Sequence, residues 1–397
     1  MDTRPAEATT RARSEHPIHW LSISAAIAAI SAVGIALGLG LPLLSVVLQN
    51  AGISATMIGL NSAMAGIASI AIAPFCTGLA QRFGVADTML VAVAVAALSA
   101  MGFYWAPEFW IWFPLRVSFH AAITVLFILS EFWINATAPP SRRGFILGIY
   151  ATVLSLGFAT GPLLFSILGS DGVLPFAVGT AIIAAAAIPI FMARSESPVI
   201  VNRPSGPFLK FVYLVPTATA AVFVFGAVES GGFALFPVFS SRIGFSESDG
   251  ALLLTMIGLG NVLFQIPLGL VSDRVRDRRI LLFICAAVGL MGCLLLPFLS
   301  TNWWLLASVL FVWGAVVAGL YTVGLAHLGS QLVDGDLASA NAAFVFCYAI
   351  GMLIGPQTIG LAMDVVGPNG FAYSLAGFFI LYVALAVSRI IFKPATP

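Results

Sequence analysis

Thr77-Gly-Leu-Ala-Gln-Arg-Phe-Gly84 and Gly269-Leu-Val-Ser-Asp-Arg-Val-Arg-Asp-Arg-Arg-Ile-Leu281 are two forms of one pattern. Arg82 and Arg274 lie 274 − 82 = 192 positions apart, and Gly157-x-x-x-Gly161-Pro162 returns as Gly351-x-x-x-Gly355-Pro356 at 355 − 161 = 194. In a chain of 397 residues both offsets are close to half the length, so the polypeptide reads as one unit used twice.

The composition says what kind of unit. Hydrophobic residues make up 60% of the chain and charged residues 8%, against about 25% charged in a soluble domain, so its surface must face lipid. The longest uncharged run, His16 to Gln81, would reach about 100 Å as one helix, far beyond a bilayer core of about 30 Å. It divides at the polar turn Gln49-Asn50-Ala51-Gly52-Ile53-Ser54, and the run from Ile280 to Val333 divides at Ser300-Thr301-Asn302. The same reading gives twelve crossings: 20–48, 55–80, 86–106, 109–135, 144–169, 172–193, 209–240, 248–272, 280–299, 303–330, 338–363 and 371–392.

The expected fold is therefore all-α and integral to the membrane, two pseudo-symmetric six-helix bundles at 20–193 and 209–392. A linker at 194–208 joins them, and tails at 1–19 and 393–397 flank them. With both tails in the cytoplasm, every Lys and Arg except Arg116 and Arg242 falls on the cytoplasmic side, the asymmetry that topology requires. A multi-pass protein of a bacterial inner membrane is expected, with no part for nucleic acid. The first apolar run has no small-residue cleavage site after it and reads as a retained helix. Cys76, Cys285, Cys293 and Cys347 all fall within helices and read as small apolar groups, with no metal site. No cofactor is called for.

At the two turns the pattern Gly-x-Leu-Ala-Asp-Arg-x-Gly-Arg-Lys resembles the signature of the major facilitator superfamily. Gly269, Asp273, Arg274, Arg278 and Arg279 match it. In the first copy Arg82 and Gly84 remain, while Thr77 replaces a glycine and Gln81 the aspartate. The resemblance implies that Gln81, Arg82, Asp273 and Arg274 belong to a cytoplasmic latch between the halves. Leu156-Gly157-Phe158-Ala159-Thr160-Gly161-Pro162 is similar to the superfamily's antiporter signature, which implies export in exchange for protons. Further likeness in Glu131-Phe-Trp-Ile-Asn135, Gly148-Ile-Tyr150 and Phe236-Pro237 extends the resemblance over residues 20–392. It points to a bacterial subgroup that moves small molecules, as a monomer.

The residues themselves supply candidates. Two tandem bundles are the architecture of secondary transporters, whose site lies where the halves meet. Ionisable groups within spans cost about 2.5–3.5 kcal/mol to insert, which singles out Arg116, Glu131 and Glu229. In the fourth span Arg116, His120, Thr124, Phe127 and Glu131 recur at helical spacing and form one interior-facing stripe. Arg116 and Glu131 are about 22 Å apart along it. The resemblance implies a proton-coupling role for Arg116, as the holder of an anionic group or as the charge that lowers the pKa of a nearby carboxylate; the other reading is an interfacial arginine snorkelling to the headgroups. His120 reads as a relay for protons or as a structural histidine. Glu131 reads as part of the inner gate, paired with Arg82, Arg142 or Arg143.

Glu229 is the foremost candidate, close to the middle of the seventh span, where a carboxyl suits proton exchange or cation recognition, the other reading being a structural hydrogen bond to a facing helix. Ser230, Gly231, Gly232 and Pro237 would let that helix bend or unwind around it. Asn61, Asn261, Gln265, Tyr321, Asn341 and Tyr348 read as polar candidates for the cavity or as helix-to-helix hydrogen bonds, and Phe225 and Phe233 as its apolar walls or as packing. Gly157, Gly161, Pro162, Gly355 and Pro356 read either as close packing or as flexible points in gating.

The leading expectation is proton-coupled antiport of a small amphipathic solute, with symport as the alternative and a non-transporting receptor beyond it. No His-Glu-x-x-His, Gly-x-Ser-x-Gly or phosphate-cradling Gly-Lys-Ser pattern occurs, so the chain is not expected to be an enzyme or an ATP-driven pump.

Overall fold

The computed structural model describes residues 20–139, 143–200, 209–299, 302–331 and 337–392. Lipid offers backbone groups no partners, so each apolar run satisfies its own in a helix. Among the described residues twelve helices are long and apolar enough to cross a membrane. We number them α1 Trp20–Asn50, α2 Ala55–Phe83, α3 Val85–Trp105, α4 Trp112–Thr137, α5 Arg143–Leu168 and α6 Leu174–Met192, then α7 Pro216–Arg242, α8 Glu247–Arg274, α9 Arg278–Leu299, α10 Trp303–Ser330, α11 Leu337–Val366 and α12 Gly370–Phe392. α6 and α10 are interrupted at Ala186 and Ala318. Among the described residues there is no strand.

The repeat is visible in the caps. Ser54 caps α2 by accepting from the Met57 amide, and Ser246 caps α8 by accepting from the Asp249 amide. These two serines are again 192 positions apart (246 − 54).

One sequence expectation needs correction. The seventh span does not run unbroken from residue 209. It divides at Val215, because Pro216 begins a new helix where its missing N–H costs nothing. From Pro216 to Arg242 the helix is continuous, so it neither opens nor unwinds at Ser230-Gly231-Gly232.

Within each half, paired glycines bring helices into backbone contact. A Cβ on Gly157 would stand 2.8 Å from the Gly34 Cα, and one on Gly161 2.6 Å from the Gly38 Cα, so α5 lies directly on α1. Gly351 and Gly355 hold α11 against α7 in the same way, a Cβ on Gly355 falling 2.6 Å from the Ala227 Cα. Both motifs are thus points of close backbone approach.

Between the halves, α2 packs on α11 and α5 on α8. Gly59 faces the Pro356 carbonyl, and a Cβ on Gly66 would lie 2.6 Å from the Ala349 carbonyl. Gly258 of α8 similarly admits Ala159 of α5.

One end of these seams is closed by two polar locks. In the first, Asp364, at the end of α11, accepts from the Ala55 and Thr56 amides at 3.3 and 2.7 Å, from the Thr56 hydroxyl at 2.7 Å and from Arg242 at 2.9 Å. In the second, Glu247, at the start of α8, accepts from Asn50 at 2.9 Å and from Ser170 at 3.1 Å. Asn50 and Arg242 are repeat-related positions, so the locks are two versions of one device. Toward the other end, added Cβ atoms on Gly78, Gly148 and Gly269 would meet nothing within 4 Å.

Candidate functional site

Glu229 is the central residue of α7, as far from Pro216 as from Arg242. Gly226, one turn earlier, faces the Tyr348 backbone, and the missing side chain lets α11 draw in beside it. The Tyr348 hydroxyl donates to Glu229 Oε2 at 2.5 Å. Tyr321 of α10 completes an aromatic group with Phe225 and Tyr348, at ring separations of 5.7 and 6.2 Å.

Glu229 stands on the wall of a cleft set among α7, α8, α9, α10 and α12 of the second half, with Phe158 of α5 at its edge. Phe158, Phe225, Phe233 and Trp313 supply aromatic walls, and the polar side chains Glu229 and Asn261 face the space. Phe158 of the first half meets Phe233 of the second edge to face at 5.6 Å. Its lining is largely apolar, with few polar handles.

The other candidates divide into groups. Gln265 accepts from Ser155 of α5 at 2.8 Å and so ties the two halves together. Thr124 pairs with Ser69 at 2.8 Å within the first half. The Phe127 carbonyl receives the Ser130 hydroxyl, which also pairs with Tyr150 at 2.9 Å. Asn341 is half-buried near the start of α11.

Glu131 lies about 10 Å from the middle of α4, toward the end away from the locks. The expected pairing of Glu131 with Arg82 is absent, since Arg82 is exposed and lies over the Phe83 ring. Arg142 and the Arg143 side chain are outside the described residues.

Arg116 is wholly buried, which removes the snorkelling alternative. Its Nε donates to Asn61 Oδ1 at 3.0 Å, and its guanidinium stands over the Phe103 ring at 5.7 Å. The His120 Nδ1 lies 3.2 Å from the Arg116 carbonyl. All four cysteines are free and buried.

The two signature turns bond within their own surroundings. Arg278 reaches Asp273 at 3.5 Å, while Arg279 holds Asp277 and donates to the Arg389 carbonyl at the end of α12. Arg274 is exposed, and Gln81 donates to the Ile200 carbonyl at 3.4 Å. These bonds of the second turn hold α8, α9 and α12 to one another.

Sequence reasoning passed over Asp364, although a signal was present. A carboxylate in the last turn of a helix opposes the macrodipole of its own helix. Such a residue needs a partner, and the start of α2 supplies one.

The sequence model of the Major Facilitator Superfamily matches residues 21–356 and also 218–397. The chain belongs to this superfamily and is a multi-pass membrane transporter. A relative from Bacillus subtilis (strain 168), described as an uncharacterized MFS-type transporter, YfkF, is 25% identical over 367 residues, 91% of this chain and 93% of that one. Among solved structures, the nucleoside transporter NupG superposes with a TM-score of 0.75 at 15% identity, covering 94% of this chain and all of that one (100%). A bacterial homolog of the human lysosomal transporter Spinster, in an inward-facing and occupied conformation, superposes at 0.72 with 16% identity over 96% and 100%. These likenesses concern the fold.

Proposed function

We propose that the protein is a proton-driven antiporter of the bacterial inner membrane that exports a small amphipathic solute and works as a monomer. Both termini lie in the cytoplasm in this reading, so the locked end is periplasmic and the conformation faces inward. The single observation that carries the proposal is Glu229, held by Tyr348 at the middle of α7 on the wall of an aromatic cleft.

A bare carboxylate is costly to enclose in low dielectric, so the halves rock past it only when a proton or a solute group neutralises it. Proton and solute then occupy the site in turn. Each proton entering down 100 mV contributes about 2.3 kcal/mol, enough for a roughly fifty-fold solute gradient.

A comparison of metabolites inside and outside cells with and without the protein identifies a probe. In inverted and right-side-out vesicles under an imposed pH gradient, that probe should move against the proton flow. Movement with the protons would replace antiport by symport. Glu229→Gln should abolish proton-driven movement and keep counterflow exchange, whereas unchanged pH dependence would remove Glu229 from the mechanism.

A further inference from the structure

We propose that Arg116 and Asn61 hold a small monovalent anion, a halide or a compact carboxylate, between α2 and α4. This site lies apart from Glu229 and does not depend on the antiport reading. Arg116 and Asn61 are both 0% exposed. The bond from Arg116 Nε uses the Asn61 carbonyl oxygen, which leaves three nitrogens without a partner: both terminal nitrogens of the guanidinium and Asn61 Nδ2. All three are hydrogen-bond donors. Ser62 Oγ and His120 Nε2, next to Asn61 in sequence and one turn from Arg116, are buried and unpartnered as well.

Charge makes the case for an anion in particular. A buried cation without a counter-charge is strongly unfavourable, and Arg116 makes no ion pair with a carboxylate among the described residues. The Asn61 oxygen and the Phe103 face offset only part of that cost. A guest that accepts from several donors and carries one negative charge satisfies the guanidinium and the amide together, as planar donor forks do for carboxylates.

The test uses full-length protein in nanodiscs. Thermal unfolding is followed by tryptophan fluorescence in sodium chloride, sodium formate and sodium gluconate at equal ionic strength. Chloride or formate should raise the midpoint by a few degrees over gluconate in a saturable way. A response to chloride alone assigns a halide, and a response to both extends the site to carboxylates.

Arg116→Gln should lose the response, but that variant can fail to fold. Asn61→Asp is therefore decisive, because it places a permanent carboxylate against Arg116 Nε. It should melt in gluconate as the wild type melts in the saturating anion, and it should ignore the salt. Equal wild-type midpoints in all three salts would mean that water alone serves these donors and would overturn the proposal. So would an Asn61→Asp protein that keeps the full anion response.

Discussion

The Tyr348 hydroxyl meets the Glu229 carboxylate at 2.5 Å and ties α11 to the midpoint of α7. A hydrogen bond to an ionised group contributes about 1.5–3 kcal/mol, and here it acts on the group proposed to carry the proton. Tyr348→Phe keeps the ring and its contact with Phe225 while removing the donor. Proton-driven transport should fall by about tenfold or more, with counterflow retained. Equal loss of both activities would show that the hydroxyl serves the fold and not the coupling.

Asp364 gathers four donors from two other helices, and most of them come from the opposite half. The start of α2 is where a helix dipole favours an anion. Asp364→Asn should weaken the lock by about 1–3 kcal/mol, shifting the population about five- to 150-fold toward molecules parted at this end. Spin labels on the α1–α2 and α11–α12 turns would report it as a larger long-distance fraction. An unchanged distance distribution would mean that the glycine seam alone holds the closure.

Asp277 lies between α8 and α9, outside the spans. The Arg279 guanidinium beside it holds its carboxyl below the usual range, against the opposing effect of partial burial. A carboxyl whose value is depressed on folding stabilises the folded state above its unfolded value, about 3.9, and that contribution is lost as pH falls through the folded value. Below about pH 4 the wild type should lose thermal stability more steeply than Asp277→Asn. Parallel stability curves for the two proteins between neutral and acid pH would dismiss this role for the pair.

Helices and their count were legible in the sequence because lipid imposes a length and an uncharged composition that few other structures share. The repeat made the halves legible as well, since Arg82 and Arg274 mark equivalent turns. Glu229 was legible for the same reason: a carboxyl far from any interface needs explaining wherever it points.

What one sequence hides is partnership across the fold. Tyr348 was on the list of polar candidates, yet nothing in its neighbours joins it to Glu229. Gln265 read as a cavity residue or a helix-to-helix bond, and nothing beside it in the sequence names Ser155 as its partner. The break at Val215 was missed because the apolar run continues through Pro216, and hydropathy does not record a missing N–H.

The seam between α2 and α11 carries a consequence for motion. Where Gly59 and Gly66 meet the Pro356 and Ala349 carbonyls, backbone lies directly against backbone. At those two points the rods can roll or glide over each other with little local rearrangement. Resistance to parting then resides in the few polar ties at the rim, which water can replace one at a time.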